Sequence, residues 1–220
     1  MLYQLAPRVS VCIVSDQAIF LDVARDRYFA VAGGAAEAVR ALLEQRAARK
    51  EELDRLVAAG LIETTETPRP PSQRRAITPV CSVVEQQHLG PAGGIGPLIE
   101  VATSLAKARR DLSGKPLASI LDGVERQKKS MLTLPEESCV SRAAAATAHN
   151  AARRHLPFKP NCLPDSLALL AFLSHRRLTA DLVFGVKLYP FSAHCWVQVE
   201  GVVLNDALDH VTLHTPILIV

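Results

Sequence analysis

Three residue types that together perform nucleophilic acyl chemistry occur in order along the last third of the chain: Cys162, His194 and Asp206. A thiolate is a good nucleophile near neutral pH only when its pKa is lowered. The partial positive charge and free N–H groups at a helix N-terminus do this. Cys162, in NCLPDSLALL, stands just before such a helix. His194, at the start of HCWVQV, reads as presented by a strand, from which an imidazole can exchange a proton with the thiol. Asp206, after the strand VVLN, supplies a carboxylate that fixes the histidine tautomer and favours the imidazolium.

Each residue also has a purely structural reading. A cysteine beside an apolar helix is commonly a buried thiol with no chemistry. Cys195 follows His194 directly, and strand alternation predicts that it faces away from the site, into the core. A zinc site from Cys162, His194, Cys195 and Asp206 has the right ligand types, but it lacks short paired-ligand spacing, so neither metal nor cofactor is expected. His155, His175, His210 and His214 read as surface or helix-end groups, and Trp196 as packing or a groove wall.

The elements that must position these residues fall into two segments, an α+β arrangement. VSVCIV, AIFLDV and RYFAV, separated by polar breaks, predict a small antiparallel meander over Val9 to Val31. After Gly33 and Gly34 the apolar spacing turns helical, through Ala38, Leu42 and Leu43 and then Leu53, Leu56, Val57 and Leu61. This gives a winged-helix-like module over residues 1–67. The proline-rich stretch TPRPPSQRRAITP predicts an extended linker over residues 68–80.

Residues 81–220 form the second domain. Helices are expected at Leu98–Arg110, Leu117–Lys129, Glu136–His155 and Asp165–Arg177, the last apolar nearly all round and therefore buried. β-like runs follow at Ala180–Leu188, His194–Gly201 and Val202–Ala207, with Glu200-Gly201 as a tight turn.

Composition limits the alternatives. The net charge is +3 with 21% charged residues, well short of a dedicated nucleic-acid binder. Arg46, Arg49, Lys50 and Arg55 could contact phosphates, but Glu44, Glu51, Glu52 and Asp54 are interleaved with them, which reads as a solvated helix face. Neither a secretory signal nor a membrane span is legible, and five irregularly spaced cysteines fit free thiols in a reducing cytoplasm.

The order of nucleophile, histidine and acid is that of papain-like enzymes of the transglutaminase type. CLPDSLALL, LVFGVKLYPFSAHCWV and VLND, closely spaced and in order, resemble the lasso-peptide B proteins, the leader peptidases of lasso-peptide biosynthesis. The resemblance implies a cysteine peptidase with Cys162, His194 and Asp206 as its triad. VCIVSDQAIFLDVARDRYFAV followed by a helix and AAGLIE is similar to the leader-recognition domain of the same pathways, in which a leader peptide joins the edge of the sheet as an added strand. Phe20, Asp22, Tyr28 and Phe29 are the leader-binding residues that this second resemblance implies. It further implies two partners, the precursor leader and an asparagine-synthetase-like macrolactam cyclase. Fusing both domains in one chain would raise the effective concentration of the leader at Cys162. An acyl transferase with the same triad order and a non-catalytic leader-binding adaptor are the alternatives.

Overall fold

The computed structural model describes residues 2–67, 77–86, 94–131 and 139–220. The elements are β1 (Leu2–Leu5), β2 (Val9–Val14), β3 (Gln17–Asp22), β4 (Arg27–Val31), α1 (Gly33–Leu43), α2 (Lys50–Ala58) and β5 (Ile62–Thr65). They continue with β6 (Cys81–Ser82), α3 (Val83–Gln86), α4 (Ile95–Gly114), α5 (Leu117–Met131), α6 (Cys139–Arg154) and α7 (Cys162–Ser174). The chain ends with β7 (Asp181–Lys187), β8 (Ser192–Val199), β9 (Val202–Val203), α8 (Leu208–Thr212) and β10 (Thr215–Ile219). The chain is α+β, as its sequence pattern predicts.

The meander forms a three-stranded antiparallel sheet in the order β2-β3-β4, and β1 pairs with β5 in a separate ribbon. The two-residue turn Ser15-Asp16 joins β2 to β3, since Val14 pairs with Gln17, and Ser15 takes the positive φ that such a turn requires. α2 ends in a Schellman motif: Gly60, at φ 71°, donates to Val57 and Leu61 donates to Leu56. Of the predicted linker, residues 68–76 lie outside the described residues. Its end is anchored, because the Ile77 carbonyl accepts from Gln198 and the Val80 N–H donates to Gly201.

Strand alternation gives the small sheet two different faces. Val9, Val11, Ala18 and Phe20 pack with Ala36 and Val39 of α1 and Leu53 and Leu56 of α2. On the opposite face, Cys12, Ile19 and Leu21 join the core formed by α4, α6, α7 and the C-terminal sheet. The N-terminal segment is thus built into the larger core through one sheet face.

The C-terminal sheet runs β10-β7-β8-β9-β6. Helix α7 lies against it with Leu169, Phe172 and Leu173 fully buried. It begins three residues earlier than its apolar run indicates, at Cys162, because Pro164 in the first turn has no N–H to lose. The predicted run Val202–Ala207 is strand only at Val202–Val203; the rest bends away and carries Asp206. Gly185, paired with His194, is required by packing: a Cβ there would stand 2.8 Å from the Trp196 ring and 3.0 Å from His214 Cβ.

Candidate active site

Cys162 is the first residue of α7, preceded by Asn161 in extended conformation. The helix start is clamped: the Asn161 N–H donates to Asp165 Oδ2 at 3.1 Å, and Arg153 donates to both Asp165 oxygens at 2.9 and 3.1 Å. Arg153 balances the one acidic group in the first turn, so the thiol keeps the favourable end of the helix dipole without an opposing free charge. Cys162 is partly buried against the same core cluster that holds Cys195.

The acid is held by a loop fixed from several elements. Asn205 accepts from the Val197 N–H at 2.8 Å and donates to Ser166 Oγ of α7 at 2.9 Å. Asn150 of α6 donates to the Leu204 carbonyl at 2.8 Å, and Ser82 Oγ donates to the Asp206 carbonyl. With its backbone held, Asp206 turns its carboxylate to His194, where Oδ2 meets Nε2. Its Oδ1 accepts from the Ala207 N–H at 2.7 Å. The other imidazole nitrogen of His194 is left for Cys162.

The electrostatics of the three groups are coupled. The Cys162 thiol is brought down to about 4, first by a hydrogen bond from the Cys195 thiol and then, against the opposing effect of burial, by His194 and a main-chain hydrogen bond from Cys195. Burial pulls His194 down, but hydrogen bonds and charge from Asp206 and Cys162 outweigh it and raise the imidazole to about 9. Burial pushes the Asp206 carboxyl up, yet hydrogen bonds from His194, His210 and Ala207 leave it below its ordinary value. Near neutral pH the resting pair is therefore a thiolate beside an imidazolium, the form that attacks a carbonyl and then protonates a leaving amine.

The structure corrects two expectations. Cys195 is buried as predicted, at 2% exposure, but it does not face away from Cys162. α7 packs on the face of β8 that Cys195 occupies, and His194 lies on the opposite face with Trp196, their rings stacked at 6.1 Å. Cys162 meets both residues. Alternation holds along the strand, but the site straddles it, and the hydrogen bond with Cys162, followed by burial, keeps Cys195 protonated by raising its pKa. His210 and His214 are not merely surface groups either. His210 Nδ1 lies 3.1 and 3.2 Å from the two Asp206 oxygens, and His214, 4% exposed, joins the His210 carbonyl at 3.0 Å to Ser192 Oγ at 2.9 Å. Burial holds the His214 pKa down. The available signal was the recurrence of Asp206, His210 and His214 at a spacing of four, with His210 on the short helix α8 between the other two.

His194, Asp206 and His210 have ligand atoms within 4.8 Å of one another, close enough for a cation. Hydrogen bonds of His194 and His210 to the Asp206 carboxylate already join them. Trp196 is packing: it is 1% exposed and donates to Gln198 Oε1 at 2.9 Å.

The four implied leader-binding residues occupy different environments. Phe20 is fully buried under α1 and α2, and Asp22, 2% exposed, accepts from the N–H groups of Ala24 and Arg25 and from the Arg25 side chain. Both serve the fold, the first as core and the second as a turn lock, and neither offers a free side chain to a peptide. Phe29 is partly buried on the helix side of β4. Tyr28, on the other side, packs into the larger core and meets Phe191 edge-on at 5.7 Å. Its phenol is pushed up to about 12, first by burial and then by nearby acidic groups that include Asp26 and Cys162. Of the four basic residues weighed for nucleic acid, Arg55 of α2 pairs with Glu52 on a solvated helix face, and Arg46, in the connection between α1 and α2, pairs with Glu37 and Glu44.

Comparison with known proteins matches residues 102–218 to the transglutaminase-like superfamily, a stretch that contains all three candidate groups. Among curated proteins, the microcin J25-processing protein McjB of Escherichia coli is 50% identical over 50 residues, which cover 23% of this chain and 24% of that protein. The match thus spans about a quarter of the relative's length. No solved structure matches the chain significantly.

Proposed function

The chain belongs to the transglutaminase-like superfamily, and we propose that it is a leader peptidase of lasso-peptide maturation that hydrolyses the amide between leader and core. The observation that carries this reading is the thiolate–imidazolium pair at the start of α7, backed by a carboxylate held from four elements. The partial likeness to a microcin-processing protein supports the substrate class.

In this mechanism the Cys162 thiolate attacks the carbonyl of the leader's last residue. The imidazolium of His194 gives its proton to the leaving amine of the core, and a thioester remains on Cys162. His194, now neutral, takes a proton from water, hydroxide resolves the thioester, and the leader departs as the acid while Cys162 returns to thiolate. Asp206 holds the ring and stabilises its charge in each protonated stage. The freed amine is the nucleophile that a macrolactam cyclase needs, so a cyclase is the proposed partner, and the outer edge of β4, which has β3 as its strand neighbour, is the proposed leader dock.

The test is cleavage of a leader-bearing precursor followed by mass spectrometry. Wild-type protein should give a free-acid leader and a free-amine core, and Cys162→Ala should lower the rate on the order of 10⁴-fold or more. Precursor binding without cleavage, with the cyclase present, would replace this reading with the adaptor. An amide adduct of the leader in place of the acid would make the protein a transferase.

A further inference from the structure

Side chains of the N-terminal module touch the loop that leads into the strand carrying His194. The loop between β7 and β8 carries Tyr189 and Phe191, exposed at 81% and 50%. Both touch the module: Gln17, at the start of β3, donates to the Tyr189 hydroxyl at 3.0 Å, and Phe191 packs edge-on against Tyr28 of β4. The same loop leads directly into Ser192 and His194, so it joins the module to the base of the candidate triad.

Tyr28 is placed by its register. It pairs with Leu21, and paired residues share a sheet face. Leu21 faces the C-terminal core with Cys12 and Ile19, so Tyr28 projects the same way, into the cluster that Cys162 packs against. Its neighbour Phe29 pairs with Phe20 and faces the module's own helices. A single strand thus presents its outer edge, a side chain toward α1 and α2, and a side chain toward the core cluster against which Cys162 also packs.

We propose that Tyr28, braced by Phe191, walls the approach to Cys162 on the leader side, so that the recognition module supplies part of the active site. This rests on the leader-peptidase reading. A peptide leaving the outer edge of β4 would pass this aromatic pair before its carbonyl reaches the thiolate. Two rings and a neutral phenol favour an apolar segment there, since they offer it contact area, while a charged side chain against them would lose hydration. The pair is a specificity and positioning device that acts on the last residues of the leader.

The experiment compares wild type with Tyr28→Ala, Tyr28→Phe and Phe191→Ala. Phe191→Ala is half exposed and cannot fail for want of a core. Two substrates are used: the full precursor, and a short peptide that spans the leader–core junction without the segment that reaches β4. Leader affinity is measured separately by fluorescence anisotropy in a Cys162→Ala background. Tyr28→Ala and Phe191→Ala should lower kcat/KM about ten-fold or more on both substrates, with leader affinity held within about two-fold. Loss confined to the full precursor with weakened leader binding, or no loss at all, would overturn the proposal. A second readout needs no cleavage: Cys162 alkylation by a bulky maleimide should accelerate in Tyr28→Ala and Phe191→Ala, while alkylation by iodoacetamide stays constant. If wild type cleaves neither substrate, the peptidase reading fails, and unchanged maleimide rates would then count separately against the wall.

Discussion

Helix α7 has a histidine packed near each end, and the two are in opposite states. His194 meets Cys162 at the helix start, and His149 of α6 lies edge-on to Phe172 further along, with ring centroids 5.4 Å apart. Both are largely withdrawn from water: the His194 side chain is 12% exposed and His149 is 1% exposed. Burial penalises the imidazolium in both. At His149 burial dominates and the pKa falls to about 4, because its near neighbour is the Asn150 amide and its Nε2 has no hydrogen-bond partner among the described residues. At His194 a carboxylate and a thiolate reverse the sign and carry the pKa to about 9. Burial alone yields an inert histidine; a charged partner on each side of the ring yields a proton carrier.

The contrast is most directly broken at Asp206. Asp206→Asn keeps a hydrogen-bond acceptor for His194 but removes the charge that outweighs burial. The raised pKa places the imidazolium below about pH 9, and the lowered thiol pKa places the thiolate above about pH 4, so wild-type activity should be bell-shaped between those limits. In Asp206→Asn the alkaline limb should move down toward the ordinary histidine range, and kcat should fall about 10²- to 10⁴-fold, both read from a pH–rate profile. An unmoved alkaline limb would assign it to another group.

A smaller effect is expected at Cys195, whose thiol is the first cause of the low Cys162 pKa. In Cys195→Ala the midpoint of iodoacetamide alkylation of Cys162 should rise from about 4 by about one pH unit or more, with cleavage at neutral pH changed less than in Asp206→Asn. An unshifted midpoint would leave His194 and the helix end as sufficient. The smallest effect belongs to the other histidine. His149→Leu removes a ring whose Nε2 has no partner among the described residues, so denaturant melts should show stability within about 2 kcal/mol of wild type. The pH–rate profile should not move, and any displacement of it would make His149 a participant.

Cys162, His194 and Asp206 were legible because their types, order and local patterns each carry a separate signal. An apolar run marks the helix, alternation marks the strand, and a polar residue after a short β-run marks the turn. The meander and the helices that follow it were legible for the same reason, since periodicity is a local property. What sequence pattern misplaced was relational. Phe20 and Asp22 look like candidates for a peptide-binding sheet, but only tertiary packing shows that α1 and α2 cover the first and the adjacent turn consumes the second.

The same division applies at the site. Sequence alone determined that the chain is α+β and that a cysteine, a histidine and an aspartate stand in the order such chemistry needs, because backbone periodicity and residue chemistry are written locally. Tertiary structure decided that Cys195 touches Cys162, that His210 braces Asp206, and that Tyr28 turns from the module into the larger core. Those relations depend on which face of β8 receives α7 and which face of the small sheet meets the larger core. A period-two pattern says only that a strand has two faces, and packing against distant elements assigns each face its neighbour.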